Sequence, residues 1–350
     1  MVHNNTRVLL IYTGGTIGMV ENPETGALEP FDFSLFTTNV PEMIRLNFAI
    51  DTHVFNPPID SSEISSEKWI EIIDVLKKNY DKYDGFVILH GTDTMAYTAS
   101  ILSLMIENLT KPIILTGSQL PIGKLRTDGK ENLITALEIA ADKDENGRSH
   151  VPEVCVYMQN YLMRGNRVKK INSENFSAFE SPNYPPLAEV GINIKYHKEV
   201  INLPDYNKTT YFNRNLDENI MILKLFPGIQ KQAVEAVFSI PGIKGVILET
   251  YGSGNSPSFP WLSEILFNAV QKGIVILNIT QCLYGRVEMQ RYETGQHLLN
   301  VGVISGYDMT TEAALAKMMI LFGEGKTSKE VVALMTQSLE GEVTIPSDVK

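Results

Sequence analysis

Short apolar runs rich in Val, Ile and Leu punctuate the chain at Val8–Tyr12, Phe86–Leu89, Ile113–Thr116, Val154–Met158, Met221–Leu225, Val246–Leu248 and Ile274–Ile279. They do not alternate with polar residues, and they stop abruptly at Gly, Thr, Ser or Asn. Such unbroken runs suit strands covered on both faces of a parallel sheet. Segments of helix length lie between them. In Glu67–Tyr80 the residues Trp69, Ile72, Ile73, Leu76 and Tyr80 recur at helical spacing, which predicts one face packed on the sheet. Further helices are predicted over Thr94–Leu109, Glu131–Ala141, Gln230–Phe238, Leu262–Lys272, Thr311–Phe322 and Ser328–Ser338.

Strand and helix alternate throughout, so the class is α/β. A polar interval rich in charge, with Pro204 and little apolar periodicity, predicts a linker at 196–214. It separates a larger N-terminal parallel-sheet domain, 1–195, from a smaller C-terminal α/β domain, 215–350. The length of 350 residues accommodates two domains at roughly 150 each. No fixed-period repeat or low-complexity tract interrupts the plan.

Composition narrows the function. With 43% hydrophobic and 20% charged residues, disordered and collagen-like readings fall away. A net charge of −11 opposes a phosphate backbone, so nucleic acid is not an expected partner. Cys155 and Cys282 form no C-x-x-C pair, which argues against a disulfide framework or thiolate zinc site and fits a reducing, cytoplasmic compartment. Met1–Val8 lacks the pattern of a secretory signal, and no apolar run approaches the roughly 20 residues that cross a bilayer. A membrane is therefore not an expected partner either.

Ligands in open parallel sheets bind beyond the carboxyl ends of the strands. After the first run comes Thr13-Gly14-Gly15-Thr16-Ile17-Gly18, and after the second comes His90-Gly91-Thr92-Asp93-Thr94. Asp60-Ser61-Ser62-Glu63 precedes the amphipathic helix. The first segment lacks both the dinucleotide fingerprint and the G-K-[ST] ending of a phosphate loop, but it offers the Thr16 hydroxyl on backbone that other backbone can approach. Thr92 and Asp93 suit helix capping as well as chemistry, and so do Asp60, Ser61 and Ser62.

A hydroxyl nucleophile needs a base, and a lysine serves where its ammonium form is disfavoured. Arg164-Gly165-Asn166-Arg167-Val168-Lys169-Lys170 supplies such a lysine, or else is a solvated basic loop. H-E-x-x-H, a close His pair and G-x-S-x-G are all missing, so zinc-hydrolase and α/β-hydrolase chemistry lack their residues. His90, the histidine beside a motif, reads as structural rather than as a base.

Taken together, Y-T-G-G-T-I-G at 12–18, D-S-S at 60–62, H-G-T-D-T-M at 90–95 and R-G-N-R-x-x-K at 164–170 resemble the type I, cytoplasmic branch of the bacterial-type L-asparaginases. The resemblance continues in order through Leu115-Thr116-Gly117-Ser118-Gln119, Tyr251-Gly252-Ser253-Gly254-Asn255, Thr280-Gln281-Cys282 and Asp308-Met309-Thr310. It implies hydrolysis of L-asparagine to L-aspartate and ammonia without metal or cofactor. It also implies that Thr16 attacks the amide to form an acyl-enzyme, with Thr92, Asp93 and Lys170 as a proton-handling triad. Asp60, Ser61, Ser62 and Gly91 become the substrate-binding set, Ser61 and Ser62 with nearby backbone holding the α-carboxylate and Asp93 the α-ammonium. Asn255 resembles a residue that reaches the pocket from a neighbouring subunit, which implies an intimate dimer and, as often in this family, a tetramer of paired dimers.

The sequence departs from the family pattern in two places. Ala27 stands where many members carry a loop tyrosine that activates the first threonine, and Tyr292 is the candidate substitute. Glu249 stands where some members place an arginine of a regulatory asparagine site, so that effector contact is not expected. Among rivals, the related glutamyl-tRNA amidotransferase subunit carries an N-terminal domain for which a first strand beginning near Arg7 leaves no room. Preference for glutamine depends on pocket volume. A silent amino-acid sensor would be expected to lack one of Thr16, Thr92, Asp93 or Lys170, and all four are present.

Overall fold

The computed structural model describes residues 6–21, 28–30, 40–291 and 293–346. The chain divides into two compact units, Met1–Arg214 and Asn215–Lys350.

In the first unit, β1 (Arg7–Tyr12), β2 (Ala49–Val54), β3 (Gly85–Leu89), β4 (Ile113–Thr116) and β5 (Val154–Met158) run parallel in the order β2-β1-β3-β4-β5. β6 (Tyr161–Arg164) turns back antiparallel on β5. β7 (Lys169–Lys170) leaves this sheet to pair with Phe179–Glu180. β8 (Ala188–Val190) and β9 (Ile194–Tyr196) extend the antiparallel edge. The central strands β3, β4 and β5 are buried at every position, which is why they read as unbroken apolar runs. β2, at the sheet edge, mixes exposed and half-buried residues and carries Asp51 and His53, so it gives no such run.

α1 (Ser66–Asn79) starts where the Ser65 side chain accepts the Lys68 N–H, and it buries Trp69, Ile72, Ile73 and Leu76 as its spacing predicts. α2 (Met95–Met105) is buried almost throughout, and α3 (Gly129–Ala141) packs Leu133, Ala136 and Leu137 into the main core with Val8, Leu10 and Val87. α2 ends four residues short of the expected Leu109 because Ile106–Glu107 pairs antiparallel with Tyr211–Phe212. That pairing, and the bonds of the Asn108 side chain to Asp205 and Lys208, bind the interval expected as a linker into the first unit.

In the second unit, β10 (Ile220–Lys224), β11 (Gly245–Thr250), β12 (Val275–Thr280) and β13 (Ile304–Ser305) are parallel and lie in chain order. Five helices accompany them: α4 (Lys231–Phe238), α5 (Pro260–Gln271), α6 (Glu293–Asn300), α7 (Thr311–Gly323) and α8 (Ser328–Met335). Val246, Leu248 and Ile276 meet Val234, Leu262 and Leu266 in one core. Inside α7, Lys317 is wholly buried 2.6 Å from Glu342, and Glu342 also accepts the amides of Leu339 and Glu340. The pair ties the C-terminal segment to the helix. No helix among the described residues is long and apolar enough to cross a membrane.

Candidate active site

The strand order of the first unit reverses at β1, whose neighbours β2 and β3 lie on opposite sides of it, and such a reversal opens a crevice at the carboxyl ends. The segments that follow β1, β2 and β3 are stitched together there. Both the amide and the hydroxyl of Thr13 donate to the Leu89 carbonyl, at 3.0 and 2.9 Å, and the Ile59 amide donates to the Thr13 carbonyl at 2.7 Å. Gly15, at φ 91°, lies so close to Gly91 that a Cβ on it would fall 2.6 Å from the Gly91 Cα and N. A Cβ on Gly91 would fall 2.4 Å from the Ser61 Oγ. A side chain at Gly15 would break this contact, and the next residues along the two touching backbones are Thr16 and Thr92.

Thr92 and Asp93 do not cap the helix that follows them. The N-cap position of α2 is Thr94, whose hydroxyl donates instead to the Ser61 carbonyl at 2.7 Å. Thr92 and Asp93 face Lys170, whose Nζ donates to Thr92 Oγ1 at 2.8 Å and to Asp93 Oδ1 at 2.6 Å. The Thr92 hydroxyl donates on to Gln119 Oε1 at 3.4 Å, and Gln119 Nε2 is held by the Asn175 carbonyl at 3.1 Å.

Lys170 is carried by a segment whose two arginines are anchors, which overturns the alternative of a solvated basic loop. Arg164 is buried and forked onto Glu153, with Nε 2.6 Å from Oε2 and Nη2 3.0 Å from Oε1. Its guanidinium lies 4.3 Å from the centre of the Tyr184 ring, and that of the buried Arg167 lies 5.0 Å from the same ring. Asn166 is buried as well, its Nδ2 donating to Ser103 Oγ at 2.9 Å. Of the four cations only Lys169 and Lys170 remain partly exposed.

His90 is fully buried, and burial pushes its imidazole down to about 4 against the opposing pull of the Gly91 carbonyl. It is therefore neutral at neutral pH, in keeping with a structural role. Its Nδ1 lies 2.7 Å from the Gly91 carbonyl and its Nε2 3.0 Å from Thr98 Oγ1, which accepts the Trp69 indole N–H at 2.9 Å.

Asp60 does cap. Its Oδ1 accepts the Ser62 amide and hydroxyl, each at 2.9 Å, at the start of the short turn Ser61–Glu63. The amide bond, followed by the hydroxyl bond, holds the Asp60 carboxyl below its usual range. Ser61 is buried against Gly91. Asn255 lies in the second unit, where it closes the turn from Tyr251 through two backbone bonds of 2.9 and 2.8 Å. Glu249 accepts the Thr311 hydroxyl at 2.7 Å and lies 3.8 Å from Lys224 Nζ. Ala27 and Tyr292 lie outside the described residues. Among the described residues no cluster of three or more His, Cys, Asp or Glu is placed to hold a metal ion.

Two family models cover this architecture, "Asparaginase, N-terminal" over residues 7–202 and "Glutaminase/Asparaginase C-terminal domain" over residues 219–335. The chain belongs to the asparaginase family. Like other chains of that family it is similar to L-asparaginase 1 of Escherichia coli (strain K12), with 41% identity covering 97% of this chain and 98% of that one. It is also 40% identical to a 60 kDa lysophospholipase of Homo sapiens, again over 97% of this chain. The chain spans only 62% of that human relative's length and 63% of the mouse counterpart's. Among solved structures, L-asparaginase I from Vibrio cholerae matches with a TM-score of 0.87 and 42% identity, over 97% of this chain and 100% of that one.

Gln119, Trp69 and Thr98 received no site role from the sequence. Gln119 follows the carboxyl end of β4, and that position was the available signal. Trp69 read only as a core position of an amphipathic helix, and Thr98 carried no signal.

Proposed function

We propose that this asparaginase-family chain hydrolyses L-asparagine to L-aspartate and ammonia. The observation that carries the reading is Lys170 Nζ bonded at once to the Thr92 hydroxyl and the Asp93 carboxylate beside the contact of Gly15 with Gly91. Thr16 Oγ attacks the side-chain amide carbon, and backbone N–H groups of the glycine-rich turns stabilise the oxyanion. The C–N bond then breaks, the leaving nitrogen takes the proton released by the Thr16 hydroxyl and departs as ammonia, and a Thr16 ester remains. The water that cleaves the ester gives up a proton toward Thr92 and the Lys170–Asp93 pair, and the Thr16 oxygen takes one back as the ester breaks.

Asp93 suits the substrate's α-ammonium, because its side chain is 67% exposed while one of its oxygens meets Lys170. Ser61, Ser62 and the backbone near Gly91, with Asp60 fixing the turn, suit the α-carboxylate. Asn255 completes the site from a second copy in an intimate dimer, and pairing of dimers gives a tetramer. The protein acts in the cytoplasm, without metal or cofactor.

Ammonia release from asparagine, compared with glutamine over a concentration series, tests the reading. Wild-type protein is expected to prefer asparagine, and Thr16→Ala to release no measurable ammonia while remaining folded. Wild-type protein that binds asparagine and liberates nothing would point to a sensor instead.

A further inference from the structure

We infer that His90 is a positioning residue that fixes the plane of the Gly91–Thr92 peptide through a one-way chain of hydrogen bonds beginning at Trp69. The inference rests on the proposed hydrolysis for its consequence, but its geometry stands apart from it.

The direction of every bond in the chain is determined. A carbonyl only accepts, so His90 Nδ1 carries the proton it gives to the Gly91 oxygen at 2.7 Å. In the neutral ring Nε2 must then accept, and its partner at 3.0 Å, the Thr98 hydroxyl, donates. An indole N–H only donates, so Trp69 fills the remaining role at the Thr98 oxygen, 2.9 Å away. Trp69 and Thr98 sit on the separate buried faces of α1 and α2, so two helices hold the ring in one orientation and one tautomer.

A trans peptide is planar, and its C=O and N–H point in opposite directions. With the Gly91 oxygen held on the buried His90, the Thr92 N–H points away from that ring. This amide meets no acceptor among the described residues, although its own side chain is the one bonded to Lys170. An unsatisfied donor beside the proton-handling Thr92 hydroxyl is what a developing oxyanion requires. If the plane flipped, a carbonyl would occupy that place and repel the same charge.

Gly91 makes the flip easy. Ser61 leaves no room there for a Cβ, which would fall 2.6 Å from the Ser61 Cβ, and glycine imposes little restriction of its own on the backbone. The close packing that builds the site thus removes the usual steric restraint on this peptide, and His90 supplies a hydrogen bond in its place.

The test combines kcat and KM for ammonia release with a crystal structure of His90→Leu. His90→Leu is expected to lower kcat about 100-fold with KM changed less than about threefold, the pattern of a lost transition-state interaction. His90→Asn, whose amide N–H reaches the same carbonyl, is expected to recover kcat to within about tenfold of wild type, and Thr98→Val to lose about tenfold. Unchanged kcat in folded His90→Leu, a rise confined to KM, or no advantage of Asn over Leu would each overturn the inference. If His90→Leu does not fold, Thr98→Val carries the test, and wild-type kcat in that variant overturns it. If wild-type protein itself releases no ammonia, the proposed hydrolysis fails, and the peptide plane in the variant structures still decides: an unflipped plane without the His90 bond means His90 does not set it.

Discussion

Both units lay helices on a parallel sheet, yet among the described residues they arrange the polar groups at their strand ends differently. In the second unit the strands follow chain order, β10 to β13, and the sheet has no reversal at which a crevice opens. Several polar groups at its strand ends bond to one another or to backbone. Thr250 Oγ1 donates to Asn278 Oδ1 at 2.7 Å, and Gln281 Nε2 donates to the Leu225 and Glu249 carbonyls at 2.6 and 2.9 Å. In the first unit the order 2-1-3-4-5 sends the segments after β1, β2 and β3 into one crevice, where Thr92, Asp93 and Lys170 meet. The same residue types therefore bond to one another and to backbone in one unit and form the proposed triad in the other, and strand order sets which segments meet.

The most direct way to break the contrast is Lys170→Met. It removes both bonds of the triad, and kcat for ammonia release is expected to fall roughly 10³- to 10⁴-fold, because linked groups fail together. The melting temperature should move by only a few degrees, since the site is partly open to solvent. A variant with near-normal turnover would refute the assigned role.

Each unit also contains a buried ion pair, Arg164–Glu153 in the first and Lys317–Glu342 in the second. Removing one partner strands a buried charge, so Glu153→Ala and Glu342→Ala are each expected to cost about 3–5 kcal/mol in urea unfolding. Turnover per folded molecule separates them. Glu153 holds the segment that ends in Lys170, so its loss should lower kcat as well, whereas Glu342 only clasps the C-terminal segment to α7. Equal kcat losses in both variants would count against that division.

Acid should act on the first unit sooner. His90 ordinarily titrates at 6.5 and is held at about 4 in the fold by burial. Between those values the unfolded chain binds the extra proton, so stability is full above about pH 6.5 and falls by about 3 kcal/mol as pH drops to about 4. His297, the second unit's histidine, is only half-buried. Burial also holds His53 below its ordinary value, so urea midpoints measured across this window should decline for wild type and decline less for His90→Asn, and parallel declines would remove His90 as the cause.

How much of this could be read from the sequence follows from what local pattern records. β1, β3, β4 and β5 were legible because burial on both faces leaves a continuous apolar run. β2 was not, since an edge strand with Asp51 and His53 looks like any polar segment, and β13 is only two residues long. Thr92 and Asp93 were legible as candidates but could not be told from caps, because the choice turns on α2 starting at Met95 with Thr94 as its cap position. Lys170 stood among four cations. What singles it out is its bonding to Thr92 and Asp93 while Glu153 and Tyr184 hold Arg164 and Arg167, and no local spacing encodes those partners. The ring of His90 likewise depends on Trp69 and Thr98, which lie on two other elements.

The smallest expected effect gives the finest comparison, because it sets two caps of the same kind against each other. Thr327 accepts the Glu330 amide at 3.4 Å while Glu330 Oε2 accepts the Thr327 amide at 2.8 Å, a reciprocal box at the start of α8. Asp60 accepts the Ser62 amide and hydroxyl at the start of a turn that presses Ser61 onto Gly91. Replacing either cap by alanine should cost about 1 kcal/mol in urea unfolding. Thr327→Ala should leave KM for asparagine unchanged, because its helix start serves only the fold. Asp60→Ala frees the Ser62 hydroxyl and loosens the turn proposed to hold the α-carboxylate, so KM should rise several-fold while kcat at saturation changes little. If Asp60→Ala matches Thr327→Ala in both stability and KM, then Asp60 is a cap and nothing more, and the carboxylate site must be drawn without it.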